Sequence, residues 1–302
     1  MRRHFYLIAN PGAGLTGSPL LDAVVTCLER AGARVTTVRP ASAQAARDHA
    51  AQAAASGTYD AIVAAGGDGT VRQAAIALLD SQVPLGIVPA GTGNVLAHEI
   101  GLPKKAPVIC DTLLHGPVIS AACARANGEP FLLMAGAGFD GRVIARLDHR
   151  FKSVFGKVAY AGPMVGALVR PMDALTVTVD GHKHEASWVV IANARHYGGH
   201  FVMAPRTGVH ERGLQAILFK AKNRAVLLSQ LMSLASGKLD SRCTSHGDVE
   251  MLRCAKVTVT SRSPVPTQID GDVFGETPLE IDDGVSHLRL IVPATGQRHD
   301  SR

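Results

Sequence analysis

Over roughly the first 115 residues, short apolar runs alternate with alanine-rich stretches of helical length, and a chain with that rhythm has few ways to bury itself. The runs at 4–9, 33–39, 61–65 and 84–88 are too short for anything but buried strands. Between them, 19–31, 43–55 and 70–79 carry helical spacing, which gives the order βαβαβαβ. That order predicts a parallel sheet with helices on both faces and a ligand site at the carboxyl ends of its strands.

Beyond about residue 117 the texture changes to short strands separated by turn residues, at 118–125, 130–135, 175–179, 187–193, 214–219, 257–261 and 286–292. Two helical stretches interrupt them, 143–169 with a break near Pro163, and 225–234. A chain of 302 residues is long enough for two domains. The expected organisation is an α/β domain over 1–116, a mostly antiparallel β domain over 117–295 and a polar tail over 296–302. With 46% hydrophobic and 19% charged residues the chain is neither disordered, collagen-like nor a coiled coil.

The 31 basic and 25 acidic residues leave a net charge of +6, which suits phosphate-bearing ligands or an anionic membrane surface. Nucleic acid is not expected as a partner, because aromatic residues make up only 4% and no basic run interleaves with them. The five cysteines are widely spaced and form no paired motif, so a reducing, cytoplasmic setting is expected. The apolar run after the first basic residues is too short for a signal peptide, and 154–169 is too short and too glycine-rich to span a bilayer. Peripheral contact with the inner face of the membrane remains open, because Arg150, Lys152, Lys157 and Arg170 flank Phe155, Val158, Tyr160, Met164 and Leu168. An amphipathic helix packed on the second domain is the alternative for that segment.

The strongest local motif is Gly66-Gly67-Asp68-Gly69-Thr70, which follows the strand 61–65 and opens a helix. Consecutive glycines let the backbone turn sharply and bring N–H groups against a phosphate, and a helix N-terminus adds positive potential. Asp68 is a candidate for holding Mg²⁺ or ordering a water, and a plain βα turn capped by Thr70 is the alternative. The device recurs in Asn10-Pro11-Gly12-Ala13-Gly14 and in Pro89-Ala90-Gly91-Thr92-Gly93-Asn94, each at a strand's carboxyl end. Three such loops on one sheet edge describe a cradle for nucleotide phosphates.

These three blocks, followed by Gly136-Ala137-Gly138-Phe139-Asp140, Tyr197-Gly198-Gly199 with Ala204-Pro205-Arg206, and Gln268-Ile269-Asp270-Gly271-Asp272, resemble the diacylglycerol-kinase catalytic-domain lipid kinases, including bacterial lipid kinases and sphingosine kinases. The resemblance implies ATP- and Mg²⁺-dependent phosphorylation of a lipid hydroxyl, in a cleft between a Rossmann-like N-terminal α/β domain and a C-terminal β-sandwich. It assigns nucleotide contacts to Asn10, Thr37, Gly66, Gly67, Asp68, Gly69, Thr70, Val71, Arg72, Thr92 and Asn94. Asp68 and Asp272 are the implied catalytic carboxylates, and Asp272 is the general base that takes the hydroxyl's proton. Asp68 and Asp270 are implied contacts for the nucleotide-bound Mg²⁺. Asp140 stands where sphingosine-kinase-like members place an acidic residue near the lipid headgroup, or else caps a helix. A homodimer is compatible with this reading.

Three departures from the family pattern stand out. Asp272 replaces the usual Glu, shortening its reach by one methylene. Asn94-Val95-Leu96-Ala97-His98 is closer to the sphingosine-kinase-like branch. Arg212 occupies the place of an acidic ligand of a structural Mg²⁺, where its guanidinium would supply a fixed positive charge or simply lie in a surface turn. Of the thirteen histidines, His182 with His184 and His196 with His200 lack the spacing and acidic partner of a metal site. Two alternatives stay open: a soluble small-molecule kinase of the NAD-kinase type, and a catalytically silent nucleotide- or lipid-binding protein.

Overall fold

A computed structural model of the chain describes residues 1–10, 18–147 and 161–294. Its contacts divide the chain into two units, one running from Met1 to Ala121 and resumed from Ser286, the other from Ala122 to Val285.

The first unit follows the expected alternation: β1 (His4–Ala9), α1 (Pro19–Arg30), β2 (Arg34–Val38), α2 (Ala43–Ala55), β3 (Ala61–Gly66), α3 (Asp68–Ala77), β4 (Leu85–Pro89), α4 (Val95–Glu99), α5 (Ala106–His115) and β5 (Val118–Ala122). Local chemistry sets the helix ends. Pro19 opens α1 with its φ already helical. In α2 the Ser42 hydroxyl accepts the Ala45 N–H at 3.1 Å, and Ala46, Ala50 and Ala53 form the buried stripe. β1, β2, β3 and β4 pair in parallel, with β3 and β4 buried along their whole length, as strands covered on both faces must be.

Three features differ from the sequence reading. The segment 286–292, expected in the second domain, supplies a strand, His287–Ile291, that pairs in parallel with β4 and completes the first sheet in the order β2-β1-β3-β4-last strand-β5. Asp80 holds it there, donating its N–H to the His287 carbonyl at 2.8 Å and accepting the His287 N–H at 2.9 Å. The stretch 118–125 is two strands in two sheets, because an apolar run does not itself say which edge it will pair with. Cys27 and Cys110, 83 residues apart and read from sequence as belonging to a reducing setting, form a disulfide between the packed helices α1 and α5, with Cα atoms 6.2 Å apart.

The second unit contains β6 (Ala124–Ala126), β7 (Glu129–Phe131), β8 (Met134–Ala137), α6 (Phe139–Ala145), α7 (Ala161–Leu168), β9 (Leu175–Val179), β10 (His182–Ala186), β11 (Trp188–Ala192), β12 (His196–Tyr197) and β13 (Phe201–Val202). It continues with β14 (Leu214–Phe219), α8 (Arg224–Ala235), α9 (Leu239–Ser245), β15 (Val249–Cys254), β16 (Lys256–Ser261), β17 (Pro266–Ile269), β18 (Asp272–Glu276) and β19 (Leu279–Asp282). Two six-stranded sheets, β10-β9-β16-β19-β6-β7 and β15-β14-β11-β8-β17-β18, are antiparallel at the pairings that define them. Val177, Val257 and Ile281 from one and Val189, Leu218 and Ile269 from the other share one core, which makes the unit a β-sandwich. Strand β9 alternates buried and open positions, whereas β11 and β14 are buried throughout. Of the helical stretch expected over 143–169, the described helical parts lie in α6 and in α7, and Pro163 is the third residue of α7. Residues 148–160, with Arg150, Lys152, Phe155, Lys157, Val158 and Tyr160, lie outside the described residues, as does the tail 296–302.

Candidate functional site

In the first unit, the carboxyl ends of β1, β3 and β4 come together. Asn10 donates its N–H to the Ala65 carbonyl at 3.0 Å and its side-chain amide to Thr70 Oγ1 at 3.1 Å. The Gly66 carbonyl accepts the N–H groups of Ala90 and Gly91 at 3.0 and 3.1 Å, so the loops after β3 and β4 lie backbone against backbone. A Cβ on Gly91 would stand 2.3 Å from Gly67 Cα, and one on Gly66 would stand 2.5 Å from Thr70 Oγ1. Only glycine permits that approach. Two of the three expected loops therefore converge, joined by Asn10; Pro11, Gly12, Ala13 and Gly14 lie outside the described residues.

Gly67, in extended conformation, is the N-cap of α3, three residues ahead of the Thr70 expected from sequence. Thr70 and Val71 donate their N–H groups back to Gly67, leaving the amides of the helix's opening residues directed out of its end, where an anion is favoured. Asp68 reaches across to the other loop: Oδ1 accepts the Val95 N–H at 2.7 Å, the first amide of α4, while Oδ2 would lie 2.7 Å from a Cβ on Gly93. Asn94 has φ +47° and is 4% exposed, and its amide closes the loop by accepting the Gly91 N–H at 2.9 Å and donating to the Gly91 carbonyl.

The other expected nucleotide residues distribute accordingly. Gly69 and the exposed Thr92 lie on the two loops; Thr37 is exposed near the end of β2, opposite Leu7. Arg72 is half-buried on α3. The Val71 side chain belongs to the core and its N–H to the helix, and the Asn94 side chain is taken up by its own loop, so both build the cradle instead of reaching out of it. Lys104, which the sequence reading passed over, rests its Nζ 2.8 Å from the Gly91 carbonyl and puts a cation at the loop. The pair Lys104-Lys105 just before a helix was the available signal.

In the second unit, β17 and β18 form a hairpin around Asp270 and Gly271, both left-handed with φ of +51° and +84°, as a two-residue type I′ turn requires. Asp272 is half-buried, opens β18 and pairs with Ile269. Asp270 is 9% exposed and accepts the N–H groups of Leu132, Leu133 and Met134 at 2.9, 2.8 and 3.1 Å. Accepting three N–H groups, it is a staple of the hairpin. Asp140, expected at the lipid headgroup, is 2% exposed; it accepts the Gln268 amide at 2.9 Å and the Gly141 N–H at 2.8 Å. Burial pushes its carboxyl up to about 6 against the pull of those hydrogen bonds. As placed, it is an interior carboxylate.

The donor sets bear on the expected cofactors. Glycine-only contacts, a helix end and Lys104 fit a nucleotide's phosphates. Among the described residues no three His, Cys, Asp or Glu side chains gather; a nucleotide-bound Mg²⁺ needs only one or two carboxylates, such as the expected Asp68 and Asp270. The turn at 210–213 holds an exposed Arg212 beside the Glu211 and His210 pair, again without an acidic cluster. No helix among the described residues is long and apolar enough to cross a membrane.

The sequence matches two family descriptions in succession, the diacylglycerol kinase catalytic domain over residues 4–126 and the YegS C-terminal NAD kinase beta sandwich-like domain over 134–293. An uncharacterised protein of Synechocystis is 30% identical over 245 residues; the match covers 77% of this chain but about half, 54%, of that protein. A diacylglycerol kinase of Mycobacterium tuberculosis is 29% identical over 283 residues, covering 89% of this chain and 88% of its own. A crystal structure of a diacylglycerol kinase from Bacillus anthracis superimposes on 96% of this chain and 97% of its own with a TM-score of 0.70 at 19% identity, which establishes the common fold. On these matches and the two-unit architecture, the chain belongs to the diacylglycerol kinase catalytic-domain family, with the YegS-type β-sandwich as its second domain.

Proposed function

We propose that the protein is an ATP-dependent lipid kinase that moves the γ-phosphoryl group of ATP to the hydroxyl of a lipid such as a diacylglycerol or a sphingoid base. The observation that carries this reading is the contact between the Gly66–Thr70 and Gly91–Asn94 loops, which presents glycine backbone, a helix end and a lysine to one anion. In the reaction the lipid oxygen attacks Pγ, the bond from Pγ to the bridging oxygen breaks, ADP leaves, and the hydroxyl proton passes to a carboxylate. Asp272 is assigned that proton by the family resemblance. Any Mg²⁺ then comes with the nucleotide's phosphates, where it neutralises charge. The substrate is reached from the cytoplasmic side of a bilayer by peripheral contact, favoured by the net charge of +6.

The test is transfer from labelled ATP to vesicles containing diacylglycerol, phosphatidylglycerol or a sphingoid base, with NAD as a soluble acceptor. Lipid labelling that falls by about 10² or more in Asp272→Asn supports the assignment. Labelling of NAD alone would instead establish the soluble-kinase alternative, and no transfer to any acceptor would leave a binding protein.

A further inference from the structure

We propose that Asp140 and Gln268 form a buried relay that positions Asp272, making both of them positioning residues for phosphoryl transfer. This rests on the reading of Asp272 as the proton acceptor.

The turn that carries Asp272 is held from two directions. Asp270 fastens it to the segment entering β8, through its carboxylate and through its own N–H, which donates to the Met134 carbonyl at 2.8 Å. Gln268 fastens it from within the hairpin: Oε1 accepts the Gly271 N–H, one residue before Asp272, at 2.9 Å. An amide oxygen so placed forces the Nε2 end outward, and there it meets Asp140 Oδ2 at 2.9 Å. The other oxygen of Asp140 accepts the Gly141 N–H at 2.8 Å. Donors and acceptors thus alternate from α6 to the turn, and reversing the Gln268 amide would set N–H against N–H at Gly271.

Neither side chain has room to choose another arrangement. Gln268 and Asp140 are each 2% exposed. A Cβ on Gly136 would stand 2.3 Å from Asp140 Oδ2, and one on Gly141 would stand 2.0 Å from the Pro266 carbonyl, so β8, α6 and β17 are pressed together around the pair. An enclosed carboxylate is a poor device for stability alone, and its raised pKa of about 6 marks that cost. What the carboxylate does here is fix the direction of Gln268.

The chain can be rebuilt with its charge moved. In Asp140→Asn, the single amide oxygen can no longer serve both donors, so the new NH₂ is set against either Gln268 Nε2 or the Gly141 N–H; in Gln268→Glu, two carboxylates confront each other. In the double variant, the new amide at position 140 donates to the new carboxylate at 268, whose other oxygen still accepts the Gly271 N–H. Turnover on lipid vesicles, ATP affinity by equilibrium binding and thermal unfolding are measured for wild type, both single variants, the double variant and Asp272→Asn. The relay predicts kcat lowered by about 10- to 100-fold in each single variant at unchanged ATP affinity, and restored to within about threefold in the double variant. Single variants that lose stability but keep wild-type kcat per folded molecule, while Asp272→Asn is inactive, would overturn the relay and leave the Asp272 reading intact. An active Asp272→Asn would remove that reading and the relay with it. Should a single variant not fold, the double variant decides: a folded protein with kcat still depressed refutes the relay.

Discussion

Replacing Gly91 by Ala tests the cradle directly. The new methyl would sit 2.3 Å from Gly67 Cα and 3.0 Å from both Gly67 N and Asn94 Oδ1, where contact between carbons needs about 3.5 Å. The nearest atom is backbone, Gly67 Cα, which cannot swing away as a side chain could, so the two loops must part by about 1.2 Å. Parting them strains the two hydrogen bonds to the Gly66 carbonyl, at 3.0 and 3.1 Å. Overpacking of this kind costs about 1–3 kcal/mol, and each weakened hydrogen bond adds about 1 kcal/mol. A displacement of about 1 Å in a binding loop is enough to slow transfer about 10²-fold. Equilibrium ATP binding, steady-state turnover and urea unfolding measured together check this, with losses expected in all three. A Gly91→Ala protein of wild-type stability, ATP affinity and kcat would refute the convergence of the two loops.

Other consequences follow from single residues. At Gly69, where a Cβ meets nothing within 4 Å, Ala is expected to stabilise the unliganded protein by about 0.5–1 kcal/mol, seen as a raised urea midpoint, because glycine in a helix loses more chain entropy on folding. Asp270→Asn leaves one acceptor for three N–H groups and is expected to cost about 2–4 kcal/mol in the absence of any metal or nucleotide; an unchanged urea midpoint would argue against the staple. For Asp140 the folded pKa, about 6, lies above the ordinary 3.8, so the folded state holds its proton more tightly than the unfolded one. Its contribution is therefore fully present below about pH 4 and lost as pH rises through 6, and stability relative to Asp140→Asn should fall by about 3 kcal/mol between pH 4 and 7.5. A pH-independent difference would contradict that. Burial pushes the Cys254 thiol up to about 12, so it should resist iodoacetamide at pH 8 until the protein is unfolded, as read by mass spectrometry.

Much of the first unit was legible because its signals are local. The strands at 4–9 and 61–66 and the Ala46, Ala50 and Ala53 stripe repeat within a few residues, at periods set by strand and helix geometry. The glycine loops were legible for a similar reason, since a backbone that must approach another backbone leaves glycine in the sequence. Asp140, Asp270 and Asp272 were legible as residues but not as roles. An acidic side chain near a glycine looks the same whether it faces water, a ligand or three amides of a segment some 137 residues away.

The order of strands and helices, the parallel character of the first sheet and the placing of glycine loops at strand ends are thus properties of the sequence alone, because each depends on neighbours in the chain. Tertiary structure decided what depends on partners distant in sequence. The last strand joined the first sheet because β4 offered an edge and Asp80 a clasp. Cys27 found Cys110 because α1 packs on α5. Asp270 became a staple and Asp140 an interior carboxylate because burial removes water, and a carboxylate without water takes whichever N–H groups the fold brings to it.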